Sequence, residues 1–492
     1  MPLIYADIPI LSGILLTCAA GLVLILATPA TQPGRIKKIG AAASGVTLAA
    51  AIYLYLAYDR GIGGLQFAEK ISWIPSLGIS YFNAVDGFSL PMLLLTGIVF
   101  FTGVLTMWEL EDRAKEFFAL IFLLVLGVYG LFMSLDLFFI FVWYDVSLFP
   151  MYLLIAVWGS TRKEYGAMKL TLYLLAGSAL ILPALLFLVI QSGLGTFDLV
   201  RLMAPGTFTP EAQRFAFVLF YIGFGILAGV WPFHTWSPVG HVAAPTAVSM
   251  IHAGVLMKIG AFGVLRVGIF LCPEGWKYWA ELMGLLATVG IVYGVLAGLR
   301  QTDLKYVIGY SSVSHMGIVG LGLATVTVDG LNGAVYQMFA HGIMTALFFS
   351  SVGYIYDKTH TKTIAELGGL SKTMPRASAY LIVAALTGVG VPCLASFWGE
   401  LVVFISSFRV YPLYGTLAVG ALAVGALFIL RVVQKTCYGP ENEKWAHLPD
   451  VSFALGIPRM ILVSVIVLFG LFPSLLFDLI QTASIPLMAG LP

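Results

Sequence analysis

The sequence predicts an all-α polytopic membrane protein with about 14 transmembrane helices, of which the seventh and twelfth are broken. Of its 492 residues, 60% are hydrophobic and only 10% are charged, whereas a soluble domain usually carries about 25% charged residues. The mean hydropathy is +0.97, and about 14 helices of ~22 residues would use most of the chain. These values exclude a soluble globular protein, a disordered chain and a nucleic-acid-binding protein.

The predicted spans follow the apolar runs of the chain. The first run lacks a basic n-region and a small-residue cleavage site, so it is interpreted as a retained helix and not as a cleaved signal peptide. The 14 spans cover about 8–28, 39–58, 86–107, 116–133, 135–157, 166–192, 212–236, 241–270, 277–299, 303–325, 329–355, 376–408, 411–435 and 457–480.

The basic residues predict the orientation of these spans. If the N-terminus lies outside, 17 of the 26 Lys and Arg residues fall in inside loops and span ends, and six fall outside. Positive residues concentrate on the cytoplasmic side of membrane proteins, so both termini are expected on the outer, periplasmic side of a bacterial cytoplasmic membrane. The remaining three basic residues, Lys169, Lys258 and Arg266, lie within predicted spans.

Two spans are interrupted by proline-containing segments, at 231–238 in the seventh and at 388–392 in the twelfth. Proline removes a backbone donor and clashes with the preceding helical turn. Non-helical backbone at membrane depth persists only where it is buried or lines a wet cavity. Two breaks five helices apart favour an inverted-repeat transporter; ordinary proline kinks are the alternative.

Two charged side chains in the fifth and sixth spans are candidates for proton transfer, since a charge at the centre of a membrane helix costs about 2.5–3.5 kcal/mol on insertion scales. Asp145 lies among aromatic and aliphatic residues, where a carboxyl group can take up and release a proton; the alternative is a helix-end aspartate, which Asp136 fits better. Lys169 lies near an inside end, so snorkelling of its side chain to the surface is the alternative.

The later spans carry five further candidates. Lys258 lies mid-span among small residues that admit close helix packing, and His252 precedes it by six residues, about 9 Å along the axis. Glu400 follows the second break. His315 and His341 titrate near physiological pH and can pass protons on, although each could instead bond a neighbouring helix. Acids and bases spread over several helices predict a lateral path for a small cation, most plausibly H⁺.

The cysteines indicate no cofactor site in this chain. Cys18, Cys272, Cys393 and Cys437 form no Cys-x-x-Cys pair, whereas iron–sulfur and zinc sites need clustered ligands. A glycine pattern at 223–228 lies inside an apolar run and not between a strand and a helix, so it is not interpreted as a dinucleotide site. Any cofactor of a redox machine is therefore expected in another chain.

Several motifs together resemble the antiporter-like M subunit (mitochondrial subunit 4 type) of respiratory complex I, NADH:quinone oxidoreductase, over essentially the whole chain. They include Tyr-Ser-Ser-Val-Ser-His-Met-Gly at 310–317 and Pro-Phe-His-Thr-Trp at 232–236. The others lie at 85–87, 150–155, 169–173, 244–247, 253–255, 303–305, 337–339 and 368–370, with His241, Lys258, His341, Gly342, Phe397, Gly399 and Glu400.

The resemblance implies 14 helices with two inverted five-helix repeats. It divides the chain into N-terminal helices 1–3 (1–110), a first repeat (111–272), a second repeat (273–440) and a C-terminal helix (441–492). Asp145 matches the family's fifth-helix acid, Lys258 its central lysine and Glu400 its twelfth-helix acid. His315 and His341 match the linking histidines.

Four positions depart from the family pattern. Leu227 replaces the seventh-helix lysine that pairs with the fifth-helix acid, Val239 and Ala243 replace two further acids, and Asp145 is one methylene shorter than the usual glutamate. Either another base serves Asp145, with Lys169 and His252 as candidates, or this half of the protein has lost pumping; our hypothesis is the first.

The resemblance implies a proton-translocating subunit of a complex I-type NADH:quinone oxidoreductase. FMN, iron–sulfur clusters and quinone are expected in partner subunits, and the expected partners are membrane-arm subunits, including further antiporter-like ones, and membrane lipid. The alternatives are a subunit of a Mrp-type Na⁺/H⁺ antiporter, or of a related membrane-bound hydrogenase or ferredoxin- or F420H2-linked complex.

Overall fold

A computed structural model describes residues 2–491, which form a bundle of membrane-length helices and one small sheet. In these residues, 13 helical segments are long and apolar enough to cross a membrane. The twelfth span adds one more, because its break leaves two halves that are each shorter than a full crossing. The 14 predicted spans are therefore confirmed.

Helices make up most of the described chain, which also has two four-residue helices, at Leu199–Leu202 and Leu370–Thr373. The helices are α1 (Ile10–Ala27), α2 (Pro33–Ala57), α3 (Ser89–Thr106), α4 (Ala114–Met133), α5 (Leu137–Trp158), α6 (Lys163–Ser192), α7a (Pro210–Ala228), α7b (Trp236–Ala243), α8 (Thr246–Ile269), α9 (Pro273–Leu299), α10 (Leu304–Ala324), α11 (Val328–Thr359), α12a (Pro375–Gly388), α12b (Ala395–Val410), α13 (Pro412–Cys437), α14 (Phe453–Leu471) and α15 (Ser474–Ala489). The strands are β1 (Leu3–Tyr5), β2 (Leu65–Ile74) and β3 (Ile79–Val85).

The three-stranded sheet is an element that the hydropathy did not predict. β1 pairs in parallel with β2, and β2 and β3 form an antiparallel hairpin. Glu69 on β2 accepts hydrogen bonds from the backbone N–H groups of Leu11 and Ser12 at 2.8 and 3.0 Å. Asp136 caps α5 and also accepts from Ser80 N–H on β3 at 2.9 Å. The hairpin thus satisfies donors at the start of α1, whereas the start of α5 is capped by Asp136, which the hairpin holds through Ser80.

Both predicted breaks are present. After α7a the chain turns at Gly229 (φ +74°) and resumes with a short 3₁₀ turn before α7b. After α12a, Gly390 (φ +75°) and Cys393 (φ +72°) adopt left-handed backbone, and the helix resumes at α12b. Residues that follow each break return to helix, so the spans are interrupted within the bundle and not ended.

Three predicted boundaries were wrong. The eighth span begins at Thr246 and not near 241, because α7b extends to Ala243 and the chain turns before Pro245. The second span begins at Pro33, since proline is accepted in the first turn of a helix. The predicted span 457–480 crosses Pro473, where the structure ends α14 and starts α15.

α8 and α11 form the centre of the bundle. Their most apolar windows are entirely buried, whereas those of α1, α2 and α13 are about one-third buried or less. α8 also contains two π-helical stretches, His252–Leu256 and Val264–Ile269; such stretches in α-helices often lie at functional sites. Charged side chains on these two helices are therefore shielded from lipid by the surrounding helices.

Candidate functional site

Lys258 on α8 lies at one end of a buried polar row. Its side chain is fully buried, and Nζ donates hydrogen bonds to His341 Nδ1 on α11 at 2.8 Å and to the Ala253 carbonyl. Ala253 belongs to the first π-helical stretch. Because Nδ1 of His341 accepts from the ammonium group, a neutral His341 carries its own proton on Nε2.

The row continues from His341 to His315 on α10 and Glu400 on α12b. The two imidazole rings stack with centroids 5.1 Å apart, and His315 Nε2 lies 3.3 Å from Glu400 Oε1. His315 Nδ1 lies 2.8 Å from the Ser311 carbonyl, so Nδ1 carries a proton and Nε2 faces the acid. Without an added proton, His315 Nε2 and the Glu400 carboxylate are both hydrogen-bond acceptors. One added proton can therefore be shared between these two atoms.

Gln337 and Gly390 hold Glu400 in position. Gln337 Nε2 donates to Glu400 Oε1 at 3.2 Å. A Cβ at Gly390 would lie 2.4 Å from Glu400 Oε2, so the second break brings bare backbone against the carboxylate. The break therefore makes room for the acid that follows it.

These four residues lie in one row although their helices are far apart in sequence. Lys258, His341, His315 and Glu400 are buried and come from four different helices. A lysine, two imidazoles and a carboxyl group can each bind and release a proton. The stacked rings share no hydrogen bond, so transfer between them needs a ring rotation or an intervening water.

Asp145 does not join this row. It is half-buried on α5, and Ser178 on α6 donates to its Oδ1 at 2.8 Å. Lys169 packs against the rings of Tyr165 and Tyr173 at 5.8 and 5.9 Å. It precedes Ser178 by nine residues, about 13 Å along α6.

His252 also makes no contact with Asp145, because its ring lies between Trp236 and His241. The hypothesis that Lys169 or His252 serves Asp145 therefore finds no contact in the structure. Leu227 is fully buried, so the position of the expected lysine carries an apolar side chain.

His241 is a buried polar residue that the sequence analysis did not select. Its ring centroid lies 4.3 Å from that of His252, which stacks on Trp236 at 5.1 Å. Ser237 Oγ lies 3.0 Å from His241 Nε2. Within residues 2–491 neither ring nitrogen of His252 has a hydrogen-bond partner. The eight-residue helix α7b places this pair beside the first π-helical stretch.

Asp86 and Arg266 form a buried ion pair that was also missed. Arg266 Nη2 donates to Asp86 Oδ1 at 2.6 Å, with 4% and 0% of the two side chains exposed. Asp86 accepts further bonds from the backbone of Phe88 and Ser89 at the start of α3. Two opposite charges within or beside apolar spans are a sequence signal that could have suggested the pair.

Two lysines near helix ends, Lys305 and Lys362, are more buried than their positions in the sequence indicated. Lys305 Nζ donates to the Ala244 carbonyl at 2.8 Å, next to the end of α7b. Lys362 Nζ donates to Ser160 Oγ at 3.0 Å, and burial lowers the pKa of this lysine from its usual value. The sequence analysis counted both among the basic residues of inside loops and span ends, because hydropathy does not show whether a lysine at such a position is buried.

No metal site is formed by the described part of the chain: residues 2–491 contain no group of three or more His, Cys, Asp or Glu side chains that could hold a metal ion. The four cysteines are free thiols, three of them buried. The row Lys258–His341–His315–Glu400 is a set of titratable groups in mutual contact, each of which can bind a proton.

Comparisons with known proteins agree on one family. Residues 134–425 match the family described as NADH:quinone oxidoreductase/Mrp antiporter, TM. The chain is 34% identical over 449 residues to a Trichormus variabilis protein named NAD(P)H-quinone oxidoreductase chain 4 3, covering 88% of this chain and 82% of the relative. It is 36% identical over 389 residues to a Synechocystis NAD(P)H-quinone oxidoreductase chain 4-2, covering 78% and 69%.

Solved structures share the fold over nearly the full length. A chain of respiratory complex I from Thermus thermophilus aligns with a TM-score of 0.89 and 27% identity, covering 98% of this chain and 100% of that one. A chain of the Mrp complex from Dietzia sp. gives a TM-score of 0.86 at 20% identity, covering 98% of both chains. A chain of an archaeal membrane-bound sulfane sulfur reductase gives 0.85 at 22%, covering 98% and 99%; these last two show similarity of fold alone.

Proposed function

This chain belongs to the NADH:quinone oxidoreductase/Mrp antiporter transmembrane family, and we propose that it translocates protons along the row Lys258–His341–His315–Glu400. It is an antiporter-like subunit of the M or 4 type, as the names of its relatives and the match to a complex I chain indicate. The observation that carries the mechanism is the unbroken set of buried contacts from Lys258 to Glu400 across four helices.

In this mechanism Lys258 and Glu400 are the two terminal proton sites and the histidines connect them. Lys258 gives a proton to His341 Nδ1, and the proton on His341 Nε2 passes to the shared position between His315 Nε2 and Glu400. Rotation of the His341 ring carries its proton toward His315 and restores its tautomer; Lys258 then takes up a new proton, and Glu400 releases the transferred one. The direction of net transfer is set by conformational changes driven from outside this chain, because the row itself contains no energy source.

The chain is proposed to act without redox chemistry of its own. Its four cysteines form no Cys-x-x-Cys pair, and residues 2–491 bring no three His, Cys, Asp or Glu side chains together as metal ligands, so we assign FMN, iron–sulfur clusters and quinone to partner subunits. The structural neighbours are chains of multi-subunit membrane complexes, which supports membrane-arm partners, including further antiporter-like subunits. The excess of basic residues in inside loops supports an orientation with both termini on the outer side.

The relatives favour a complex I-type assembly over a Mrp-type antiporter. Curated relatives at 34–36% identity are NAD(P)H-quinone oxidoreductase chains, whereas the Mrp chain at 20% shares only the fold. The two functions can be distinguished by measuring what drives proton transport. Proton transport by this chain should require quinone reduction by its complex in the first case and a Na⁺ gradient in the second.

Replacing Lys258 by alanine tests the proposed row. Membrane vesicles that contain the assembled complex are supplied with NAD(P)H and quinone, and proton uptake is measured together with the rate of quinone reduction. We expect Lys258→Ala to lower the number of protons moved per electron, because His341 loses its proton donor. Lys444→Ala, at an exposed loop position, is the matched control and should leave the ratio unchanged. An unchanged ratio in Lys258→Ala would refute the mechanism.

A further inference from the structure

A cavity lies at the ends of α9 and α13, beside the segment 364–365, and has a volume of about 260 Å³. Both helices end on the side that the distribution of basic residues assigns to the inside. Arg300, Arg431 and Lys435 line the cavity, and no acidic side chain of residues 2–491 does. The chain as a whole has 26 basic and 24 acidic residues, so this wall concentrates positive charge and favours an anionic ligand.

The three cations have no anionic partner in the described chain. None of the ion pairs found within residues 2–491 includes them, and their side chains are exposed. The two acidic residues that adjoin the lining segments have other contacts. Asp303 accepts hydrogen bonds from the backbone N–H groups of Lys305 and Tyr306, and Glu366 accepts one from Thr361. The positive charge of the cavity is therefore left for a ligand from outside the chain.

Apolar side chains continue both helices from the cavity toward the centre of the membrane. Leu296 precedes Arg300 by four residues on α9, and Leu427 precedes Arg431 by four on α13. Each leucine therefore lies on the same side of its helix as the arginine, about 6 Å deeper along the axis. Leu296 is 55% exposed and Leu427 69%, so both helices present an apolar surface directly beneath a cation.

The floor of the cavity is closed by the contact of the two helices. A Cβ at Gly298 would lie 3.0 Å from Phe428 Cζ, so the glycine lets the ring of α13 pack against the backbone of α9. Phe428 is buried. A ligand can therefore place its anionic group among the cations but must extend along the outer surface of the helices, where the leucines lie.

A phospholipid fits this arrangement better than a free anion or a soluble acidic segment. Basic pockets between membrane helices on the cytoplasmic side are suited to anionic headgroups. One phosphate group can accept hydrogen bonds from several cations at once, and its acyl chains reach the apolar surface below. Inorganic phosphate or an acidic loop would meet the cations but would leave that apolar surface uncovered.

We propose that this cavity binds the headgroup of an anionic phospholipid, with the phosphate among Arg300, Arg431 and Lys435 and the acyl chains along Leu296 and Leu427. The inference goes beyond the proposed function and does not depend on the proton-transfer row. It assigns a specific lipid site to the inside ends of α9 and α13.

The site adjoins a connection between the inside ends of the two halves of the chain. Ile364 N–H, on the cavity wall, donates to the Thr302 carbonyl at 2.9 Å. Two residues earlier, Lys362 Nζ donates to Ser160 Oγ, between α5 and α6, at 3.0 Å. A bound headgroup would therefore hold α9 and α13 beside the segment that contacts the first half.

Photo-crosslinking with lipid in the intact complex tests the site. The complex is reconstituted into phosphatidylcholine vesicles that contain either a photoactivatable phosphatidylglycerol or the matching photoactivatable phosphatidylcholine, and crosslinked peptides are identified by mass spectrometry. We expect phosphatidylglycerol to crosslink to 296–302 and 424–435 at least about fivefold more than phosphatidylcholine, because its net charge is negative. Equal crosslinking by both lipids, or none at these two segments because another subunit covers them, would overturn the proposal.

Removal of two of the cations gives an independent test with a matched control. Arg300→Gln/Arg431→Gln should lower the phosphatidylglycerol crosslink by more than about tenfold, since each cation near the surface contributes about fivefold to the affinity. Arg35→Gln/Lys38→Gln removes two exposed basic residues on the same side but outside the cavity, and it should leave the crosslink unchanged. Unchanged crosslinking in the first variant, or an equal loss in both, would refute a specific site.

The conservative variant Arg300→Lys/Arg431→Lys keeps both charges and should retain most of the crosslink. A competition experiment needs no variant and stays informative if the glutamine variant fails to assemble. Excess inorganic phosphate should leave the crosslink of the unmodified complex unchanged, because phosphate has no acyl chain. Loss of the crosslink would mean that the cavity binds phosphate alone, and it would overturn the lipid proposal.

The lipid site and the proposed function can fail separately. Lys258→Ala should lower proton transport and leave the phosphatidylglycerol crosslink unchanged, because Lys258 is fully buried and does not line the cavity. A wrong lipid proposal would leave the effect of Lys258→Ala on transport intact. A wrong proton-transfer mechanism would leave the difference between the two lipids intact.

Discussion

At the scale of single residues, position in the bundle decides what each charge can do. Lys258 and Glu400 are buried at the ends of a row of imidazoles, whereas Asp145 is half-buried at the edge of the bundle. Each has an acid–base group, but only the first two contact further titratable groups of the same chain. Proton transfer needs donors and acceptors within hydrogen-bond reach, so burial and neighbours matter more than the residue type.

Replacement of Glu400 by glutamine removes the terminal proton site while keeping the shape of the side chain. We expect the protons moved per electron to fall, with the complex still assembled, because an amide cannot accept the proton from His315. Glu400→Asp retains a carboxyl group one methylene farther away and should keep part of the activity. Equal proton ratios in Glu400→Gln and the unmodified complex, measured in vesicles, would contradict this role.

Asp136 gives a pH-dependent prediction outside the membrane. Burial raises its pKa from 3.8 to about 6, with the negative charge of Asp198 adding to the effect, although backbone hydrogen bonds oppose it. A raised carboxyl pKa contributes stability that is full below about pH 4 and is lost as the pH rises through about 6.

In Asp136→Asn this pH-dependent contribution is absent. The melting temperature of the variant relative to the unmodified complex should therefore rise between pH 5 and pH 7.5. Melting is followed by labelling of the buried thiol of Cys18. If the melting temperatures of the variant and of the unmodified complex change in parallel between pH 5 and pH 7.5, Asp136 does not titrate in this range.

At the scale of elements, the two breaks place functional groups that a continuous helix would not. The first break creates the short helix α7b, which carries His241 next to His252. The second lets bare backbone at Gly390 approach the Glu400 carboxylate. The π-helical stretch before Lys258 likewise brings the Ala253 carbonyl to its ammonium group. Departures from regular helix therefore coincide with the polar row.

Gly390→Ala tests the role of the second break. The new Cβ would lie 2.4 Å from Glu400 Oε2, and alanine is strained at the φ of +75°. We expect the carboxylate to be displaced from His315 and proton transport to fall. Gly420→Ala on α13, where no atom lies within 4 Å of the new Cβ, is the matched control and should be neutral. Normal transport in Gly390→Ala would mean that the break does not position Glu400.

At the scale of the whole molecule, buried polar contacts join particular pairs of helices. Hydropathy identifies each of these helices as a membrane span but does not show which spans are neighbours. The Asp86–Arg266 pair connects the start of α3 to the second π-helical stretch of α8. The hairpin of β2 and β3 connects the starts of α1 and α5. The ion pair therefore joins α3 to the central helix α8, which carries Lys258, and the hairpin joins α1 to α5.

Removal of one partner of the Asp86–Arg266 pair should destabilise the protein. Arg266→Met leaves a buried, unpaired carboxylate, and breaking such a pair costs about 3–5 kcal/mol. The double variant Asp86→Asn/Arg266→Met should recover part of this loss. Arg409→Met breaks an ion pair with both side chains more than half exposed, and it should cost less than about 1 kcal/mol. Similar melting of Arg266→Met and Arg409→Met, followed by Cys18 labelling, would contradict the prediction.

Much of the fold could be predicted from the sequence because membrane insertion is decided segment by segment. An apolar run of sufficient length spans the bilayer whatever its neighbours are, and proline acts on its own helix. The spans and both breaks followed from these local rules. The small sheet did not, because β2 and β3 are mixed in polarity and are stabilised by pairing with each other and with helix starts.

The candidate site was predictable only as a set of unusual residues. A polar group in an apolar span is energetically costly and therefore suggests a function. This cost is why the sequence analysis selected Lys258, His315, His341 and Glu400. His241, Lys305 and the Asp86–Arg266 pair were not selected, because their burial depends on where loops and helix ends pack. The suggested partners of Asp145 had no support from packing, since Lys169 and His252 contact other side chains.

The sequence by itself determined the class of protein, the number of spans, the two breaks and the residues able to carry protons, since all of these depend on local composition. Only the tertiary structure decided which residues contact one another: Lys258 meets His341 across 83 residues of sequence, and Asp145 is left with Ser178. The physical reason is that hydropathy fixes the depth of a side chain in the membrane. The packing of side chains between helices fixes its direction and its neighbours.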